Sequence, residues 1–171
     1  MTLAKFLEVF FIAATPIAEL RAAIPDAINH LDMPWYYAYL IAVAGNLFPI
    51  PFLLLFLNPL SRVLSRISVF DRILRFVFKL SRRRADIVEK HGMIGLALFV
   101  AVPLPATGAW TGAIIAFLLG MKFKRAFPAI VLGVLIAGII VTVLTLMGWV
   151  GAIIALIALA ALIILGLHRI W

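Results

Sequence analysis

The chain has 171 residues, of which 66% are hydrophobic and only 13% charged, and its mean hydropathy is +1.22. Soluble domains are about 45–50% apolar and about 25% charged, and so short a chain has too much surface for its volume to hide the excess; the composition describes an integral membrane protein. Fifteen basic residues against seven acidic give a net charge of +8, and the absence of cysteine excludes disulfides, thiolate catalysis and cysteine metal sites.

Five apolar segments follow along the chain. The first, Leu3–Asn29, opens with the short run Phe6–Ala14 and breaks at Thr15-Pro16. It then crosses the polar stretch Glu19-Leu20-Arg21 and meets a second proline, Pro25. Glu8 interrupts its apolar run and no small-residue cleavage site follows, so it does not read as a signal peptide. The second segment, Met33–Leu60, carries no charge and is long enough for one span of about 20 residues. A basic stretch comes next, holding nine of the fifteen cations: Arg62, Arg66, Arg72, Arg75, Lys79, Arg82, Arg83, Arg84 and Lys90. Phe70, Ile73, Leu74 and Val77 recur there at helical spacing. That pattern predicts an amphipathic helix on anionic headgroups of the inner leaflet rather than a nucleic-acid surface.

The third segment, Met93–Gly120, repeats the broken pattern of the first. Ile94–Val102 is followed by Pro103-Leu104-Pro105, and the apolar run resumes from Trp110 to Leu119. The last two, Ala126–Gly148 and Val150–Leu167, are uncharged and meet at Gly148-Trp149, a tight turn between two spans. Each half of the broken segments is too short to cross about 30 Å of hydrocarbon. Proline removes a donor and disfavours a helical residue before it. Two half-helices joined at such a break read as a re-entrant hairpin; the competing reading is one kinked span.

A repeat and the charges favour the hairpins. A shift of 88 residues superimposes Leu31 on Leu119, Met33 on Met121, Ala38 on Ala126 and Gly45 on Gly133. Broken segments in corresponding positions of two halves point to a transporter's binding site. Lys122–Arg125, the basic stretch and the tail His168-Arg169 belong in the cytoplasm by the positive-inside rule, and His30–Asp32, without Lys or Arg, belongs outside. Those assignments agree only if both broken segments are hairpins and the halves are inverted. The expected architecture is therefore an all-α membrane protein of one domain: repeat 3–59, basic linker 60–92, repeat 93–148 and a further span 150–168. Three full spans leave two hairpins to seal, so a homodimer is expected.

The only charges placed at membrane depth are Glu19, Arg21 and Asp26, and such residues are site candidates by default; for Asp26 a place at the outer surface with Asp32 is an equal alternative. A desolvated carboxyl favours its neutral form, which makes Glu19 or Asp26 the proton carrier. Arg21 offers a planar fork for phosphate or carboxylate. The half-helix after the second break, at Ala109–Thr111, adds backbone N–H groups for an anion, with the hydroxyls of Thr107 and Thr111 beside it. A Glu19–Arg21 ion pair that merely satisfies the broken backbone is the structural alternative. Asn46, Pro49 and Pro51 shape a kink facing the hairpins, with simple helix packing through Gly45 as the alternative; Pro103 and Pro105 make the second break, and Trp110 packs that hairpin. Tyr36, Tyr37 and Tyr39 fall where an interfacial belt belongs. The histidines His30, His91 and His168 close apolar runs without ligand spacing, so neither a metal nor a cofactor is expected.

Several of these stretches resemble the small multi-drug export protein family. They are Glu19-Leu20-Arg21-Ala22-Ala23-Ile24-Pro25, Gly45-Asn46-Leu47-Phe48-Pro49-Ile50-Pro51-Phe52, Glu89-Lys90-His91-Gly92, Val102-Pro103-Leu104-Pro105-Ala106-Thr107-Gly108-Ala109-Trp110-Thr111-Gly112 and Gly133–Gly138. The resemblance covers nearly the whole chain and implies a small multi-pass protein of the bacterial or archaeal cytoplasmic membrane. The layout also looks like that of DedA-type membrane proteins, whose opposed hairpins carry acidic and Arg residues and which are implicated in ion-coupled lipid-phosphate translocation. Here the second hairpin carries no charge, whereas the DedA pattern has an Arg there. The expected function is transport of an anionic or amphipathic substrate, such as a polyprenyl phosphate or a drug-like amphiphile, coupled to protons. A small-anion channel is the second reading. A lipid-phosphate phosphatase is the third, although neither break supplies the Ser or His nucleophile it would need.

Overall fold

A computed structural model describes residues 2–64, 92–103 and 107–168, and every regular element among them is a helix. An apolar medium demands this, because a helix satisfies its backbone groups within the segment. The first broken segment is α1 (Leu3–Ala14) followed by α2 (Glu19–Asn29). Thr15, ahead of Pro16, adopts φ −74° and ψ 148°, which ends α1. Its hydroxyl donates to the Ile12 carbonyl at 2.8 Å and accepts from the Ala18 N–H at 3.3 Å, so the turn holds itself together. The Lys5 ammonium donates to the Leu31 carbonyl at 2.8 Å and ties the start of α1 to the far end of α2. The two helices thus lie side by side as a pair. Pro25 sits inside α2 without ending it.

Helices α3 (Trp35–Leu47) and α4 (Pro49–Leu64) follow, then α5 (Gly92–Ala101), α6 (Ala109–Leu118), α7 (Phe123–Leu146) and α8 (Trp149–His168). Among the described residues, two stretches are long and apolar enough to cross a membrane, Trp35–Phe56 and Phe123–Leu146. The span expected over Met33–Leu60 contains the candidate span Trp35–Phe56, kinked at Phe48 where α3 gives way to α4. Pro49 and Pro51 lack the N–H groups that Gly45 and Leu47 would otherwise receive four residues on. Gly120 (φ 64°) and Gly148 (φ 57°) terminate α6 and α7 in the left-handed conformation that glycine adopts freely. The amphipathic helix expected within 60–92 falls largely on residues outside those described, as does Pro105; α4 itself extends to Leu64.

Small residues set the packing. Ala13, Ala23, Ala27, Ala38, Ala42, Ala109, Ala113, Ala126 and Ala137 are all buried, and Leu20, Ile24, Ile50, Leu96, Ile115 and Ile130 fill the gaps among them. Helices inside lipid gain little from hydrophobic exclusion and rely on such close approach. α2 packs on α1, α3 and α7, and α4 packs on α6. Two glycines 88 residues apart hold corresponding places. A Cβ on Gly45 of α3 would strike the Phe10 carbonyl of α1, and one on Gly133 of α7 would come within 2.7 Å of the Ala97 carbonyl of α5. Gly112 of α6 admits the Val100 side chain of α5 in the same way.

Tyr39 departs from the expected belt. Its ring lies against Gly138 and its hydroxyl donates to the Leu135 carbonyl at 3.3 Å, so it fastens α3 to α7. Tyr36 and Tyr37, with Trp35, form a half-exposed aromatic cluster at the start of α3.

The Gly45 contact makes a direct prediction. Gly45→Ala must push α1 away from α3, because the obstructing atom is backbone. It should cost about 1–3 kcal/mol, read as a lower thermal unfolding midpoint in mild detergent. An unchanged midpoint would show that the two helices are not in contact there.

Candidate functional site

The breaks of the two broken segments meet. α2 begins at Glu19 and α6 at Ala109, and each helix brings the partial positive charge of its N-terminus toward the same point. Glu19 occupies that point, 5% exposed. Its carboxylate accepts the Trp110 N–H at 3.4 Å and also the Ala109 N–H, two of the donors that the first turn of α6 leaves without helical acceptors. The carboxylate rests on Gly108, the residue before α6, so closely that a Cβ there would overlap it. Glu19 reaches this seat from a left-handed backbone (φ 50°), an uncommon conformation for any residue but glycine.

Arg21 lies two residues on, and its charge and that of Glu19 attract. Its guanidinium donates to Thr107 Oγ1 at 3.1 Å, and that hydroxyl donates to the Val102 carbonyl at 2.7 Å, just past the end of α5. The Trp110 indole N–H donates to the Ala14 carbonyl at 3.2 Å, in the last turn of α1. The anion is thus set at the start of α6, and the cation is linked through Thr107 to the end of α5. Both placements complement the helix dipoles.

Glu19, Arg21, Asn46, Gly108 and Ala109 share a cleft, walled on its apolar side by Val100, Val134 and Ala137. The space between these atoms is too narrow for a water molecule. Asn46 is 1% exposed, and its Oδ1 has no hydrogen-bond partner.

Five of the residues expected from sequence therefore come together: Glu19, Arg21, Asn46, Thr107 and Trp110. Pro103 stands beside Val102 at the end of α5, half-buried, and Thr111 is half-buried without lining the cleft. Asp26 is elsewhere. Seven residues along α2, about 10 Å away, it faces the exposed His30, with Oδ1 at 3.9 Å from Nδ1. Sequence reasoning reserved the N–H groups of the second break, together with Arg21, for a substrate's anionic group, and the structure places the Glu19 carboxylate on them. It also passed over Gly108, whose signal was its position immediately before a helix start opposite a solitary carboxylate.

Described residues whose regular elements are all helices, with stretches long enough to cross a bilayer, and a buried carboxylate beside a half-buried guanidinium between two interrupted helical segments, define a small helical membrane protein. Residues 19–140 match the family described as "Putative small multi-drug export protein", and the chain belongs to it. The match begins at Glu19 itself and takes in every residue of the cleft. No curated protein and no solved structure matches the chain.

The seat predicts a coupled pair of substitutions. Gly108→Ala should lower stability by about 1–3 kcal/mol, and much less when Glu19→Ala has removed the carboxylate it displaces. The readout is the unfolding midpoint of both single variants and the double variant in detergent. Equal costs in both backgrounds would mean that Glu19 does not rest on Gly108.

Proposed function

We propose that the protein is a proton-coupled transporter that exchanges the Glu19 carboxylate for an anionic group of its substrate at a site between two opposed re-entrant hairpins, α1–α2 and α5–α6. The observation that carries this reading is that the chain seats its own anion on the N–H groups of α6, with a guanidinium alongside. A carboxylate in such a place is a stand-in for a ligand of the same charge. A neutral carboxyl is a poorer acceptor than a carboxylate, so protonation of Glu19 loosens its hold on Ala109 and Trp110. The vacated N–H groups and Arg21 then suit a phosphate or carboxylate headgroup. One proton and one monoanion enter together, so the net charge of the cleft stays at zero, as its dry surroundings require.

The matched family name supports export, and the apolar walls suit an amphiphile. The paired places of Gly45 and Gly133 support a repeat, and the basic turn at Lys122–Arg125 supports inverted halves with that turn in the cytoplasm. The basic stretch Arg62–Lys90 would lie on inner-leaflet headgroups, and a second copy would complete the seal around the hairpins. The charge-free second hairpin favours one rival, a small-anion channel; flux that rises without saturation would establish it.

Two measurements test this reading. Native mass spectrometry of the detergent-purified protein should find a polyprenyl phosphate or an anionic phospholipid on the wild type and at least a tenfold lower share on Arg21→Ala. No retained anionic lipid, or indifference to the substitution, would remove lipid phosphate as the substrate and leave drug-like amphiphiles or a small ion. Since the chain has no cysteine, single substitutions Asp32→Cys and Lys124→Cys report sidedness without further changes. A membrane-impermeant thiol reagent on intact cells should label the first and not the second. Labelling of Lys124→Cys would restore full spans in place of hairpins.

A further inference from the structure

Asn46 is the one polar side chain of the cleft that the exchange of anions leaves unused. It sits in the last turn of α3, 1% exposed, and its Oδ1 accepts no hydrogen bond. A buried acceptor without a donor is costly and rare in folded proteins. The cleft offers it little. The N–H groups of Ala109 and Trp110 are committed to Glu19, Arg21 gives one hydrogen to Thr107 through a terminal nitrogen, and its buried Nε–H makes no hydrogen bond to Asn46. Val100, Val134 and Ala137, from α5 and α7, bring no donor side chain, and no space is wide enough for water. Among the described residues lining the cleft, Glu19 and Arg21 are the only charged or titratable groups on any of the packed helices.

We propose that Asn46 Oδ1 is the second seat of the Glu19 side chain, the acceptor to which the protonated carboxyl donates when it leaves the start of α6. The inference rests on the proton-coupled reading of the same site and says where the proton is held. In the seated state Glu19 accepts two backbone N–H groups and Asn46 is unsatisfied. In the protonated state the Glu19 O–H satisfies Asn46, and the two N–H groups pass to the substrate anion. Each state leaves one set of groups waiting for the other, so neither proton nor anion binds well alone. Asn46 acts through Glu19 and is a positioning residue.

The test uses the full chain in lipid nanodiscs and reads the protonated-carboxyl infrared band against pH, assigned by its loss in Glu19→Gln. Asn46→Leu, which removes the acceptor, should weaken proton binding about tenfold, a move of about one pH unit toward acid. Asn46→Asp, which adds a second carboxylate, should move the band the opposite way, and it serves as the readout if the leucine variant does not fold. An identical titration in wild type and both variants would overturn the second seat while leaving proton coupling intact. A wild-type titration displaced by sodium chloride but not by choline chloride, with the displacement lost in Asn46→Leu, would overturn it in favour of a sodium ligand. No Glu19 band between about pH 4 and 9 would remove proton coupling, and this inference with it.

Discussion

An interrupted helix leaves backbone N–H and C=O groups at each broken end, and where water is absent something must answer them. Two such interruptions face one another here, after α1 and after α5, and each supplies what the other lacks. Glu19 from the first answers the N–H groups that begin α6, Arg21 reaches the end of α5 through Thr107, and Trp110 from the second answers the Ala14 carbonyl that ends α1. The two halves are consequently joined at their weakest points. A solitary carboxylate and guanidinium would be expensive in so apolar a core. Between four helix ends they complete the hydrogen bonding.

The same arrangement explains why one half carries the charges and the other carries none. A helix start is already a partial cation and a helix end a partial anion, so the α5–α6 half needs no ionised side chain of its own to meet Glu19 and Arg21. Gly108 shows the steric side of the bargain: the carboxylate can approach the α6 N–H groups only because no Cβ stands in front of them. In the proposed cycle, whatever replaces Glu19 inherits a place shaped for a small planar or tetrahedral anion, with the bulk of an amphiphile left to the apolar walls.

Much of this was legible in the sequence because the rules involved are local. Pro16 and Pro103 interrupt helices through their own missing N–H and their effect on the preceding residue, and the uncharged stretches announce membrane helices by composition. Glu19 and Arg21 stood out as charges in apolar surroundings. What was not legible depends on contacts across the chain. The seating of the Glu19 carboxylate at the start of α6 rests on residues 91 apart and on a left-handed φ that no side-chain pattern encodes. Asp26 resembles Glu19 in sequence, yet one helix length carries it to the far end of α2. Tyr39 differs from Tyr36 and Tyr37 only in which face of α3 it occupies. Pro25 is absorbed within α2, where packing on three neighbours outweighs one lost hydrogen bond.

The left-handed backbone at Glu19 adds a mechanical element. A residue with a Cβ held at φ 50° stores about 1–2 kcal/mol, so the seated carboxylate works against a small spring. In the proposed cycle, departure of the carboxylate from the α6 N–H groups is the step at which this backbone can relax, so the strain favours release over a permanent lock.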